Sequence, residues 1–148
     1  MIGQARPTVA AARCRLPSTQ AGRRALFYRP ATADPAVVTL DDNLRDLYTI
    51  GDLVTYLKEL TLPSSRGYNG AVLVVNGDAD QLMCGTAPPN GAPCTSGPAL
   101  AEYETQFYGP HATVDAAIVP DTGHDLALST TAPATTGHII DWLRSALR

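Results

Sequence analysis

The sequence predicts an α/β fold built on two parallel strands, and three observations lead there. Ala71-Val72-Leu73-Val74-Val75 is an apolar run of five, three of them β-branched, that leads into Asn76-Gly77-Asp78-Ala79-Asp80. Unbroken apolar character, rather than alternation, marks a strand covered on both faces, as in a parallel sheet. A second run, Ala112-Thr113-Val114-Asp115-Ala116-Ala117-Ile118-Val119, leads into Pro120-Asp121-Thr122-Gly123-His124. A segment of helical periodicity separates the two. A strand–helix–strand order places the strands side by side and parallel through a right-handed crossover. Both then release their polar residues at one edge of the sheet, past the carboxyl ends of the strands, where open α/β sheets carry ligands and catalytic groups.

Taken in order, residues 1–26 form a basic, disordered lead-in. Arg6, Arg13, Arg15, Arg23 and Arg24 fall here, and no acidic residue precedes Asp34. The same Arg-rich, acid-free composition also suits a transit peptide, but the charge bias alone favours an untargeted lead-in. Asp34-Pro35 is a helix start, an N-cap followed by proline at the first helical position. That helix is predicted to reach Leu47, with Val37, Leu40, Leu44 and Leu47 at three- and four-residue steps. A second helix, begun by Thr49 and running to Leu60, puts Ile50, Leu53, Val54, Leu57 and Leu60 on one face. Leu62-Pro63-Ser64-Ser65 ends it.

After the first strand, Thr95 or Ser96 caps a helix through Tyr108 with a buried stripe of Leu100, Tyr103 and Phe107, and Gly109-Pro110 stops it. The last helix is predicted from Thr135 or Thr136 to Arg148. Its inner face would carry Ile139, Ile140, Leu143, Ala146 and Leu147, with Trp142 at the margin. The helix pair forms a helical segment over residues 27–66, and residues 67–148 form a strand–helix–strand–helix unit.

Composition sets the class. The 148 residues suit one domain, with 45% apolar residues and a net charge of −3. Such a balance carries no signature of nucleic-acid or polyanion binding. No apolar run approaches the ~20 residues of a membrane span, and Met1 is not followed by the apolar core of a secretory signal.

Asp80 and His124 are the candidate site residues, because a carboxylate that orients a histidine is half of a nucleophilic triad. The alternative for Asp80 is turn chemistry, since aspartates after Asn-Gly bond nearby backbone amides. Asp78, the rival acid, is assigned to the turn. His124 is the candidate general base. Asp125 follows it directly, whereas His111, in a Gly-Pro-His turn, and His138, on the last helix, read as ordinary.

Leu73-Val74-Val75-Asn76-Gly77-Asp78-Ala79-Asp80 and Thr122-Gly123-His124 resemble the last two strand ends of the α/β-hydrolases. The resemblance covers residues 27–148 and corresponds to the C-terminal half of such an enzyme. It implies a partial α/β-hydrolase sheet of two C-terminal parallel strands, flanking helices and a cap or lid over 27–66, for which periodicity alone offers the alternative of two scaffold helices packed on the sheet. It makes Asp80, in Gly77-x-x-Asp80, the triad acid and His124, in Gly123-His124, the base. The family's nucleophile sits in Gly-x-Ser-x-Gly, and Ser18, Ser64, Ser65, Ser96, Ser129 and Ser145 all lack those glycines. The nucleophile is therefore expected before Met1, and the chain alone should be inert. The complete enzyme would take a small-molecule or peptide ester or amide and need no cofactor or metal.

Cys84 and Cys94 bracket a turn-rich loop that could bring them together. The resemblance supports a disulfide there, because secreted bacterial members of the family often carry a bridged loop after the triad acid. Such a bridge would contribute about 3 kcal/mol by restricting the unfolded chain and would fit a secreted parent. Two free thiols are the alternative. The spacing matches no zinc pattern, and Cys14 has no evident partner.

Two other functions compete. Asp78-Ala79-Asp80 after an apolar strand loosely resembles the Asp-x-Asp of haloacid-dehalogenase-type phosphatases, which bind magnesium; here Asn76-Gly77 intervenes and Gln81 stands where that family has Gly or Thr. A non-catalytic remnant or interaction module is the other. Two strands alone leave pairing edges open, so such a chain would associate with itself or a partner.

Overall fold

The computed structural model describes residues 15–17, 26–44, 47–61, 64–85 and 91–148. In chain order these form β1 (Arg15–Pro17), α1 (Pro35–Leu44), β2 (Leu47–Thr49), α2 (Ile50–Thr61), β3 (Ala71–Gly77), α3 (Gly97–Thr105), β4 (Thr113–Val119) and α4 (Ala132–Ala146). Single 3-10 turns cover Ser64–Gly67 and Leu126–Leu128. None of the described helices is long and apolar enough to cross a membrane. Apart from β1 and Leu26, the basic lead-in, with Cys14, lies outside the described residues.

The helices begin where capping chemistry dictates. The Asp34 carboxylate accepts the N–H of Ala36 at 2.8 Å and so caps α1. Thr49 and Asp52 cap α2 reciprocally. The Asp52 carboxylate accepts the Thr49 N–H at 2.8 Å, and the Thr49 hydroxyl accepts the Asp52 N–H at 3.1 Å. Ser96 caps α3 through the N–H of Ala99 at 3.3 Å.

Several boundaries differ from the sequence expectation. α1 stops at Leu44 rather than Leu47, because Leu47–Thr49 pairs antiparallel with Arg15–Pro17. α3 stops at Thr105, so Phe107 and Tyr108 lie in the turn that follows. α4 begins at Ala132, three residues early, with Pro133 in its first turn and no side-chain cap.

The central sheet is mixed with helices as an α/β arrangement, and its two strands are parallel. β3 and β4 pair in register from Ala71 opposite Thr113 to Gly77 opposite Val119. On one face Val74, Ala116 and Ile118 pack on a core of Ala92, Cys94 and the fully buried Leu100 of α3. Cys84 and Cys94 form the disulfide, and Cys94 is part of that core. The other face meets α4 less closely. Leu73 and Val75 face Leu126, Thr135, Ile139, Trp142 and Leu143 across an open groove of about 430 Å³. The Trp142 indole N–H donates to Asp115 of β4 at 2.8 Å.

Two expectations about burial are corrected. The strands are half-buried rather than sealed on both faces, because among the described residues each has one neighbour strand and one helix per face. The apolar face of α2 is also open: Ile50 is 58% and Val54 60% exposed, with Leu53 and Leu57 exposed beside them. Its main contact among the described elements is with the adjoining β2, not with the central sheet. On α4, Ile139, Ile140, Leu143 and Leu147 are likewise exposed.

Candidate active site

The site grows from the way the two strand ends are laced together. As the chain leaves β3, the Asp78 N–H donates to Val119 at 3.2 Å and the Ala79 N–H to Thr122 at 3.0 Å. In return the Thr122 N–H donates to the Asp78 carboxylate at 3.3 Å. Asp78 therefore serves the turn, as its sequence position suggested, but the turn it braces is the one that carries the histidine. Thr122 is fully buried; its hydroxyl donates to the Pro120 carbonyl at 2.9 Å and lies 2.7 Å from that of Thr131. Just before it Asp121 takes φ 52°, a left-handed conformation that aspartate tolerates and that reverses the chain.

The glycines of both motifs are needed for closeness. A Cβ on Gly77 would overlap the carbonyl of Thr122, and one on Gly123 would fall 2.7 Å from the Phe27 carbonyl oxygen and 2.8 Å from the Arg29 nitrogen. The segment around Phe27 and Tyr28 thus seats directly on the histidine turn. The Asp125 N–H donates to the Phe27 carbonyl at 2.9 Å, and the Phe27 ring meets the His124 ring edge-on, with centroids 5.7 Å apart. Tyr28 is buried beside it and donates to Asp41 at 2.9 Å.

On this frame Asp80 and His124 meet: Asp80 Oδ2 lies 2.9 Å from His124 Nδ1. The other oxygen, Oδ1, accepts the N–H of Leu82 at 2.8 Å and of Met83 at 3.0 Å. One oxygen of Asp80 thus does the turn chemistry, and the other meets the imidazole. The Asp80 side chain is 3% exposed and that of His124 30%, so the acid is sealed while the imidazole reaches solvent. A carboxylate accepting at Nδ1 fixes the neutral tautomer with its proton there and leaves Nε2 as the acceptor. Among the described residues Nε2 meets no hydrogen-bonding partner.

Electrostatics reinforce the pair. Burial opposes ionisation of Asp80, yet the hydrogen bond from His124, the two amides and the nearby imidazolium outweigh it, and the carboxyl titrates below its usual range. His124 is shifted up, first by its hydrogen bond to Asp80, against burial, and then by the charges of Asp80 and Asp125. The pair therefore favours the imidazolium.

None of the described serines hydrogen-bonds His124. The Ser65 hydroxyl donates to the Phe107 carbonyl, Ser129 to Thr32 and Ser145 to Trp142, while Ser96 caps α3. Nor do three His, Cys, Asp or Glu side chains converge as a metal site needs, among the described residues.

Sequence reasoning anticipated that Asp80 bonds nearby amides but did not name Leu82 and Met83, and it missed Phe27 as a wall against the imidazole. The Asn-Gly-Asp-x-Asp turn carries the signal for the first. Nothing in the sequence marks the second, because Phe27 and His124 are joined only by the fold.

Fold and site define an α/β protein with a carboxylate–imidazole pair at the carboxyl ends of two parallel strands. Comparison with known protein families, with curated proteins and with solved structures gives no match.

Proposed function

We propose that Asp80 and His124 are the acid and base of a serine-hydrolase triad, and that this chain is the C-terminal part of an α/β-hydrolase that cleaves an ester or amide. The observation that carries the reading is the 2.9 Å contact of Asp80 Oδ2 with His124 Nδ1 at adjacent parallel strand ends. His124 Nε2 takes the proton of a serine hydroxyl as that oxygen attacks the carbonyl, then returns it to the leaving group. Asp80 keeps the tautomer and steadies the imidazolium. The serine and the backbone amides of the oxyanion hole come from polypeptide outside these 148 residues.

A fluorophosphonate probe tests this. The chain alone is expected to remain unlabelled. The protein read from the genomic frame upstream of Met1 is expected to label at a Gly-x-Ser-x-Gly serine, and His124→Ala to abolish that labelling. Labelling at one of the serines of this chain, or of the longer protein despite His124→Ala, overturns the proposal.

A second reading, a non-catalytic interaction module, draws on the exposed Ile50, Leu53 and Val54 of α2 and the two-stranded sheet. It expects oligomers or a captured partner in size-exclusion chromatography, whereas a clean monomer speaks for a self-sufficient fold.

A further inference from the structure

We propose that the Cys84–Cys94 disulfide is a positioning device for the acid: it holds the Leu82 and Met83 amides against Asp80 and thereby sets how firmly Asp80 grips His124. The connection is short. Asp80 Oδ1 is held by the N–H groups of Leu82 and Met83, and Cys84 is the next residue, its own N–H donating to the Asp80 carbonyl at 3.2 Å. One tight turn therefore joins the carboxylate to the bridge. On the far side Cys94 is buried in the core beside Ala92 and Leu100, and the Asn76 side chain at the end of β3 donates to its sulfur at 3.6 Å.

The bridge thus ties the turn after Asp80 to the buried core around Ala92 and Leu100. Two backbone bonds run beside it, from the Ala92 N–H to Met83 at 3.2 Å and from the Gly85 N–H to Ala92 at 3.1 Å. The β3–β4 ladder and the packing of Leu100 do not run through the sulfurs, so the local effect should be separable from folding. Amides that wander from Oδ1 leave the carboxylate free to turn Oδ2 away from the imidazole. Its hold on Nδ1 then weakens. Asp125, the other acidic group acting on His124, is joined to Phe27 on the opposite side and is not moved by the bridge.

The catalytic meaning of this role rests on reading Asp80 as the triad acid, but the test reads only the imidazole. The titration of His124 is followed by NMR in the native chain, in Cys84→Ala, which leaves the Cys94 sulfur in the core, and in Cys84→Ala/Cys94→Val, which refills its volume. The Trp142 indole N–H, bonded to Asp115 on the opposite face, reports the intact sheet. In a variant that keeps the Trp142 signal, the His124 titration midpoint is expected to move down toward the ordinary imidazole range, with shifted Leu82 and Met83 amide resonances. An unmoved His124 midpoint in such a variant overturns the proposal. Loss of the Trp142 signal in both variants also overturns it, because the bridge would then hold up the whole fold rather than the acid. Neither result depends on whether the protein hydrolyses anything, which the fluorophosphonate experiment decides separately.

Discussion

Gly77 lies so close beneath the carbonyl of Thr122 that a Cβ at position 77 would overlap it. Through this backbone contact Asp80 and His124, 44 positions apart, come within a hydrogen bond of each other. The backbone fixes where that Cβ must stand and the atoms it meets are main chain, so no side-chain rotation relieves the overlap. Gly77→Ala is expected to cost about 2 kcal/mol or more by overpacking and to loosen the His124 turn. Gly67, with open space where its Cβ would stand, is the control, and Gly67→Ala should stay within about 0.5 kcal/mol. Urea unfolding measures both. Equal midpoints for the two variants would mean that the strand ends need not approach.

The opposite shifts of Asp80 and His124 give the pair a defined pH window. A raised imidazole contributes fully below its unfolded pKa, about 6.5, and its contribution is lost as pH rises through the higher folded value. A depressed carboxyl contributes fully above its unfolded pKa, about 3.9, and its contribution is lost as pH falls through the lower folded value. Both are complete from about pH 4 to about pH 6.5. The native urea midpoint should exceed that of Asp80→Asn by a margin that is widest in that window and narrows at alkaline pH. A margin that does not change between about pH 5.5 and about pH 9 would dissociate the pair from stability.

How much of this was legible in the sequence follows from how local each signal is. The parallel strands could be read because Val72 to Val75 and Ala116 to Val119 are continuous apolar runs, and both end in residues that stop a strand. Asp80 and His124 could be read because each follows a glycine turn at such an end. The helix faces misled. Periodicity identified α2 as amphipathic but cannot say what lies opposite Ile50 and Val54. Leu47 looked like the end of α1 and Thr49 like the start of α2, because their strand partner, Arg15–Pro17, lies 30 residues back from Leu47 in a stretch that reads as lead-in.

That misreading has a measurable side. Lysine at Ile50 or Val54, more than half exposed, should change stability by no more than about 0.5 kcal/mol. Leu100→Ala, at a residue with no exposure and in the core beneath β3 and β4, should cost about 3 kcal/mol. Denaturant midpoints decide. A loss at Ile50 or Val54 approaching that at Leu100 would mean that the α2 face is covered in solution, by a second copy or by another part of the protein.

Asp78 and Asp80 are rival acids two residues apart, and under the proposed function catalysis in a longer protein that supplies the nucleophile would separate them. Asp80→Asn keeps the size of the side chain but can no longer hold an imidazolium as an anion does, and kcat should fall about 10⁴-fold. His124→Ala removes the base itself and should cost about six orders of magnitude. Asp78→Asn retains an oxygen for the Thr122 N–H, which donates at 3.3 Å. Replacing a charged acceptor by a neutral one there should weaken the brace by about 1 kcal/mol, a change of less than about tenfold in rate. Steady-state hydrolysis of an activated ester by the three variants gives the order directly. Should Asp78→Asn lose more than Asp80→Asn, the acid has been assigned to the wrong carboxylate, and the hydrogen bond seen at His124 Nδ1 serves the fold alone.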